Sequence, residues 1–275
     1  MHSSNPVFTR SEGFNGRSTT ATTSGVSYPA YGTPQVGTQG GGPAYGSPTH
    51  TEPGLDRGRM TIDSVVQKTG LTLGLLILSA AATWAFLPET YFRFAMIAAL
   101  LGMGLGLFVS FKRAISPPLV VAYALIQGVF LGAISNVFNN MYPGIVVNAI
   151  GGTLIAFAGT LAAYKFFNIQ VTPKFRKFVV AASFSFVGLI LLDFVLSFFG
   201  LDFGWNGYGA IGLISSVIGL VLGVFMLILD FDYIEEGVRV GLPEQESWRA
   251  AFGLTVTLIW IYIEILRILA ILRGD

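Results

Sequence analysis

The 275-residue chain contains no cysteine, and its only two histidines are His2 and His50. Without cysteine it has no disulfides, thiolate metal sites or cysteine nucleophiles. Because both histidines precede residue 60, the rest of the chain has no imidazole for a zinc site, a haem or a serine-type triad. Most hydrolase and redox classes are thereby excluded, and we expect neither an enzyme nor a bound cofactor.

Charged residues are also scarce. They make up 11% of the chain, whereas 53% of the residues are hydrophobic and the mean hydropathy is +0.67. Soluble domains carry roughly 25% charged residues. The net charge of +1 gives no reason to expect nucleic acid as a partner. The composition therefore predicts an integral membrane protein whose main partner is the lipid bilayer.

Residues 1–59 differ from the rest of the chain in amino-acid composition. They are rich in Gly, Ser, Thr, Pro and Tyr, with the run GGGP at residues 40–43. Such a segment buries too little apolar area to offset the entropy of ordering it. It also lacks the apolar core of a signal peptide. We expect a disordered cytoplasmic tail, with membrane targeting left to the first hydrophobic helix.

Residues 60–275 are expected to form an all-α polytopic membrane helix bundle. A membrane span needs about 20 mostly apolar residues, and seven stretches approach or meet that length. Turn signals separate several of them, and all but one of the connections are short, which favours packing between helices that are adjacent in sequence. The predicted transmembrane helices are 69–87, 92–111, 118–139, 145–164, 177–199, 208–230 and 248–272.

Lysine and arginine placement predicts the orientation, because cytoplasmic loops carry an excess of both. With the N-terminus inside, eleven basic residues flank the inner ends and two flank the outer ends. The protein is therefore expected in the cell (inner or plasma) membrane, with its N-terminus cytoplasmic and its C-terminus outside. The inner residues are Arg57, Arg59, Lys68, Lys112, Arg113, Lys165, Lys174, Arg176, Lys177, Arg239 and Arg249, and the outer ones are Arg93 and Arg273.

Glycines recur at four-residue spacing in several spans. Small residues at this spacing let membrane helices approach closely, so we interpret them as packing sites. The pairs are Gly70/Gly74, Gly102/Gly106, Gly128/Gly132 and Gly219/Gly223.

Four acidic residues within the spans are candidates for function, because an ionisable residue in a bilayer is costly. Asp230 and Asp232 are about 200° apart around a helix and cannot share a face. Asp193 and Glu264 are predicted in the outer third. Each has a structural alternative: Glu264 and Arg267, at i and i+3, neutralise each other, Asp230 and Asp232 are interfacial charges, and Asp193 is a protonated, hydrogen-bonded residue.

Three segments together resemble the transmembrane Bax-inhibitor-motif family. They are LIQGVFLG at residues 125–132, FMLILD at 225–230 followed by Ile234, and ILRIL at 265–269. Seven spans and an inside N-terminus agree with the resemblance, which covers residues 61–275. The opening SNPVF at residues 4–8 and the Gly/Tyr-rich tail look like a bacterial branch.

The resemblance implies a pH-sensitive calcium leak controlled by two aspartates in the sixth and seventh spans. Asp230 matches the first aspartate, but the second falls at Thr257, which is not acidic. We expect a cation leak channel or transporter for Ca²⁺ or protons, gated by protonation of Asp230 and its neighbours, with Asp230 and Asp232 as candidate Ca²⁺ ligands. Asp232 or Glu264 is the candidate substitute for the second acid.

Two other functions remain as alternatives. A regulator without transport activity would bind other membrane proteins, in stress responses or protease control. An intramembrane aspartyl protease would use Asp193 and Asp230, but neither follows the Gly-x-Gly-Asp element that such an enzyme predicts.

Overall fold

The computed structural model describes residues 58–86, 92–201, 203–207 and 209–274. All of them belong to one compact unit of the chain, residues 51–275. Within these ranges the regular structure is entirely α-helical, which confirms the predicted fold class. The predicted tail, residues 1–59, lies outside the described residues except for Gly58 and Arg59.

Seven helices follow one another along the described chain. Six of them are long and apolar enough to cross a membrane, and the searched part of the remaining helix, Met96–Phe111, is apolar but shorter. The helices are α1 Ile62–Phe86, α2 Phe92–Phe111, α3 Pro117–Met141, α4 Ile145–Phe166, α5 Pro173–Ser197, α6 Ala210–Val240 and α7 Glu246–Gly274.

Three helix boundaries differ from the prediction by about four residues or more, because polar residues extend the apolar spans. α1 begins at Ile62 rather than at residue 69. At this start, the side chains of Thr61 and Ser64 each accept a hydrogen bond from the other residue's backbone N–H, both at 3.1 Å. α5 begins at Pro173, and Thr172 caps it because its side chain accepts a hydrogen bond from Phe175 N. Such caps satisfy the free amides of a first turn.

α6 differs most from its predicted end, since it continues ten residues beyond residue 230 to Val240. Its last turns carry acidic and basic residues, which a hydropathy window leaves out although they are good helix formers. The helix ends at Gly241, whose φ of +69° is the left-handed conformation that glycine adopts without strain. The charged end of α6 therefore extends the bundle beyond the apolar span.

α7 is the central helix and packs against α1, α3, α4 and α6. The expectation that neighbours in sequence pack together is confirmed for α2 with α3 and for α6 with α7. It is wrong for α1, which packs most extensively against α3, and for α4, which packs most against α7. Side-chain shape overrides loop length here, because glycines on α3 admit the backbone of α1.

The predicted glycine packing sites are confirmed in three helices. A Cβ atom at Gly128 would lie 2.5 Å from Leu76 O, and one at Gly132 would lie 2.3 Å from Ala80 O, so α1 and α3 touch through backbone atoms. Glycines of α2 and α6 also contact neighbouring helices. Gly70 and Gly74 have no described atom within 4 Å of such a Cβ, so their predicted packing role is not seen.

Hydrogen bonds at the helix ends define two opposite faces of the bundle. At the N-terminal face, Met60 N donates to Leu242 O at 2.7 Å and Arg249 donates to Arg113 O at 2.7 Å. This face therefore carries the start of α1 and the α2–α3 and α6–α7 connections. At the C-terminal face, the last turns of α7 contact the α3–α4 and α5–α6 connections, since Arg273 donates to Pro143 O and Arg267 donates to Trp205 O.

Candidate functional site

Asp230 lies on the side of α6 that faces α7. Thr257 Oγ1 donates a hydrogen bond to Asp230 Oδ2 at 2.7 Å. The other oxygen, Oδ1, lies against Gly253, one turn earlier on α7, where a Cβ would be 3.0 Å away. Thr257 is the position that the family resemblance assigns to a second acid, so the residue at this position does face Asp230, through a hydroxyl rather than a carboxyl group.

The Asp230 side chain borders a cavity of about 260 Å³ near the N-terminal face. The cavity lies between the end of α2, the last turns of α6 and the beginning of α7. Its walls are mostly apolar, and one carboxylate and one guanidinium group supply its charge. The lining residues are Val109, Ser110, Ile115, Asp230, Tyr233, Arg249, Ala250, Phe252 and Gly253.

Two hydrogen bonds of Arg249, and a third that holds its partner Glu246, fix the guanidinium in the wall of this cavity. Its Nε donates to Glu246 Oε2 at 2.6 Å, its Nη2 donates to Arg113 O at 2.7 Å, and Tyr233 OH donates to the same Glu246 oxygen at 2.7 Å. The Arg249 side chain is 29% exposed. A guanidinium group paired with Glu246 therefore stands between Asp230 and the N-terminal face.

Arg249 and Tyr233 are site residues that the sequence reasoning missed, because it used Arg249 only to assign topology. A signal was present, however. Glu246, Arg249, Gly253 and Thr257 follow one another on α7 at three- or four-residue spacing, which places them on one helix face. A stripe of charged, small and hydroxyl residues entering an apolar span indicates a polar path.

Asp232 faces a different neighbour. Its Oδ2 accepts a hydrogen bond from Arg176 Nη2 of α5 at 2.5 Å, and its side chain is 20% exposed. The prediction that Asp230 and Asp232 point to different sides of α6 is confirmed. The structure does not bring the two candidate Ca²⁺ ligands together, and the described residues contain no group of three His, Cys, Asp or Glu side chains able to hold a metal.

Asp193 lies near the C-terminal face and is buried. Its two oxygens accept backbone hydrogen bonds from Phe203 N at 3.1 Å and Asn206 N at 2.9 Å. Asp193 therefore anchors the α5–α6 connection just before α6 begins at Ala210. Asp230 lies twenty residues further along α6, roughly 30 Å away along the helix. The two aspartates do not form the close pair that an aspartyl protease needs.

Glu264 and Arg267 lie at the same face. Arg267 Nη1 is 3.9 Å from Glu264 Oε2, and Arg267 also donates a hydrogen bond to Trp205 O of the α5–α6 connection. The expected i, i+3 ion pair is present, although its distance exceeds that of a hydrogen bond. Glu264 lies seven residues beyond Thr257, roughly 10 Å further along α7 toward the C-terminal face, and so does not take the place of the acid missing at Thr257.

The fold and the site together define a multi-pass helical membrane protein in which a carboxylate of the sixth helix faces a cavity bordered by the second, sixth and seventh helices. The family model described as Bax inhibitor 1 like matches residues 5–274. The chain therefore belongs to the Bax-inhibitor-motif family. No curated protein matches it.

Proposed function

We propose that the protein conducts cations, Ca²⁺ among them, across the membrane through the Asp230 cavity, and that protonation of Asp230 controls the conduction. The observation that carries the proposal is the position of Asp230, a carboxylate within a membrane-spanning helix that faces a cavity rather than a basic partner. Carboxylate oxygens suit hard cations such as Ca²⁺. Protonation removes the ligand charge, so pH can regulate the path.

The packing on both sides of Asp230 supports a closed resting state. Toward the N-terminal face, the ion pair of Arg249 with Glu246 stands in the cavity wall. Toward the C-terminal face, Leu227 and Ile261 are both fully buried, and a Cβ at Gly223 would lie 2.7 Å from Ile261 Cγ1. Conduction then requires Arg249 to leave the cavity wall and α6 to separate from α7 at this level.

Orientation and location form part of the same proposal. We place the N-terminal face in the cytoplasm and the protein in the cell membrane, because the basic residues of the α2–α3 connection and of the helix turns that flank the α4–α5 and α6–α7 connections lie on that side. Cytoplasmic protons then reach the cavity from the side of Arg249. The proposal assigns no catalytic step to the chain.

The test is Ca²⁺ flux into liposomes that contain only the purified protein, measured over a range of pH. Asp230→Asn keeps the size and much of the hydrogen bonding but removes the charge. We expect this variant to lose most of the pH dependence. Asp232→Asn is the matched control, because Asp232 is the same residue type two positions away but faces Arg176, and its pH response should stay close to that of the wild type.

Two results would contradict the proposal. A full pH response in the Asp230→Asn variant would remove Asp230 from the gate. No flux through the wild-type protein at any pH would remove transport itself and favour the alternative, a regulator that binds other membrane proteins.

A further inference from the structure

Two buried hydroxyl groups on α6 behave differently from most others in the bundle. Ser215 and Ser216 are both 0% exposed, and neither Oγ has a hydrogen-bond partner among the described residues. A serine or threonine in a membrane helix usually donates to its own helix backbone, which satisfies its hydroxyl in an apolar environment. Hydroxyls that do so here are those of Thr72, Thr83, Ser110, Thr153, Thr160, Ser197 and Thr255.

The Glu264 carboxylate of α7 faces the same part of α6. Glu264 Oε1 packs against Gly219, one turn from Ser215 and Ser216 on α6, where a Cβ would be only 2.5 Å away. The Ser216 hydroxyl is close enough to interact with the carboxylate. Glu264 is 7% exposed, and its Oε2 has no hydrogen-bond partner among the described residues. Three oxygen atoms of one small region are therefore buried without a close hydrogen-bond partner among the described residues, although the Ser216 hydroxyl lies near the carboxylate.

Arg267 approaches Glu264 Oε2 without making a hydrogen bond to it. Its guanidinium is 3.9 Å from Glu264 Oε2 and donates a hydrogen bond to Trp205 O instead. Unpaired oxygens in an apolar interior cost free energy, and each such group in a native structure calls for an explanation such as a bound ion. A carboxylate with two neighbouring hydroxyls has the chemistry that binds a hard cation.

We propose that Glu264, Ser215 and Ser216 form a second binding site for a hard inorganic cation at the C-terminal face, and that Arg267 acts as a tethered positive charge competing with that cation. The site rests on the proposed function, because it places a second oxygen site on the α6–α7 interface that leads to Asp230. With one carboxylate it binds weakly, in the range of about 10⁻⁴–10⁻³ M for Ca²⁺. Weak binding suits a site that a permeating ion must leave.

Trp260 offers a direct measurement of binding that does not depend on transport. Its ring stacks on Phe186, and its Nε1 donates to Gly219 O at 2.9 Å, so it contacts the glycine that supports Glu264. The experiment is a Ca²⁺ titration of the purified full-length protein followed by tryptophan emission. We expect a saturable change in the wild type and in Asp230→Asn, because Asp230 lies roughly 16 Å from Gly219 along α6.

Variants at the site itself should change the affinity in both directions. Glu264→Gln should abolish binding, and Ser216→Ala, which introduces a better helix former, should weaken it several-fold while the fold is retained. Arg267→Gln should strengthen binding about tenfold or more, because a nearby positive charge is removed. Arg267→Lys keeps the charge and should bind Ca²⁺ much as the wild type does.

The inference is overturned if the wild type shows no saturable change up to about 10 mM Ca²⁺, or if Glu264→Gln titrates like the wild type. It is also overturned if the signal vanishes in Asp230→Asn and survives in Glu264→Gln, which assigns binding to the other cavity. Ca²⁺ binding at this site without Ca²⁺ flux would contradict the proposed function but support the site. Flux without this binding would support the proposed function but contradict the site.

Discussion

Gly132 of α3 lies against the backbone of α1 and provides a quantitative test of the helix packing. A Cβ at this position would be 2.3 Å from Ala80 O, 2.9 Å from Ala80 Cα and 2.9 Å from Thr83 Cβ. Carbon–oxygen contacts are normally about 3.3 Å or longer, so α1 must move by roughly 1 Å to admit one methyl group. Overpacking of this kind costs about 1–3 kcal/mol. We expect Gly132→Ala to destabilise the bundle by that amount.

Gly74→Ala is the matched control, since Gly74 lies in the middle of α1 and no described atom is within 4 Å of the point that its Cβ would occupy. Alanine there should be neutral or stabilising by up to about 1 kcal/mol, because it is the better helix former. The assay is thermal unfolding of the purified protein, in which 1 kcal/mol corresponds to roughly 2–4 °C. If Gly132→Ala melts at or above the temperature of Gly74→Ala, the close contact between α1 and α3 is wrong.

Two further predictions concern topology and the tail. Single cysteines introduced at Lys174 and Asp202 give unambiguous labels in a chain without native cysteine. Because of the distribution of basic residues, a cysteine at 202 should react in intact cells and one at 174 only after permeabilisation. The reverse pattern would show the opposite orientation. Deletion of residues 2–55 should leave insertion and the thermal transition unchanged, since no apolar span is lost; a truncated protein that fails to insert would show that the tail is structural.

The number and order of the helices could be predicted because a bilayer imposes a length and an apolar composition that the sequence displays directly. The ends of α1 and α6 could not be predicted in the same way. Hydropathy reports only the apolar part of a helix, whereas the Thr61–Ser64 cap and the turns up to Gly241 are polar. Capping residues mark these ends better than hydropathy does.

The candidate site was predicted in part. Helix periodicity separated Asp230 from Asp232, and the family resemblance located Thr257 opposite Asp230; both agree with the hydrogen bonds observed. The pairing of Asp232 with Arg176 could not be predicted from the sequence, because Arg176 lies on α5 and the contact depends on how α5 packs against α6. Periodicity shows which side of a helix a residue occupies, but not which residue of another helix it meets.

Asp193 and Glu264 illustrate a second limit. Their depth along the helices predicted that both lie toward the same side of the bundle, and the structure agrees. Asp193 contacts the α5–α6 connection, and Glu264 contacts Arg267. Their roles differ because Asp193 is satisfied by two backbone N–H groups, whereas Glu264 Oε2 has no hydrogen bond within the described residues. The conformation of the α5–α6 connection, which the sequence does not show, makes Asp193 a structural carboxylate and leaves Glu264 as a candidate binding carboxylate.

The most direct test of the proposed path is chemical block of the Asp230 cavity. Ser110 lines this cavity, is exposed and differs from cysteine by one atom. Ser197, also exposed and bonded to its own helix backbone as Ser110 is, lies at the C-terminal end of α5 and provides the control. The measurement is Ca²⁺ flux in liposomes before and after reaction of each cysteine variant with a cationic methanethiosulfonate reagent. The account predicts that modification of Ser110→Cys removes most of the flux and that modification of Ser197→Cys does not. Unchanged flux through fully modified Ser110→Cys would contradict it.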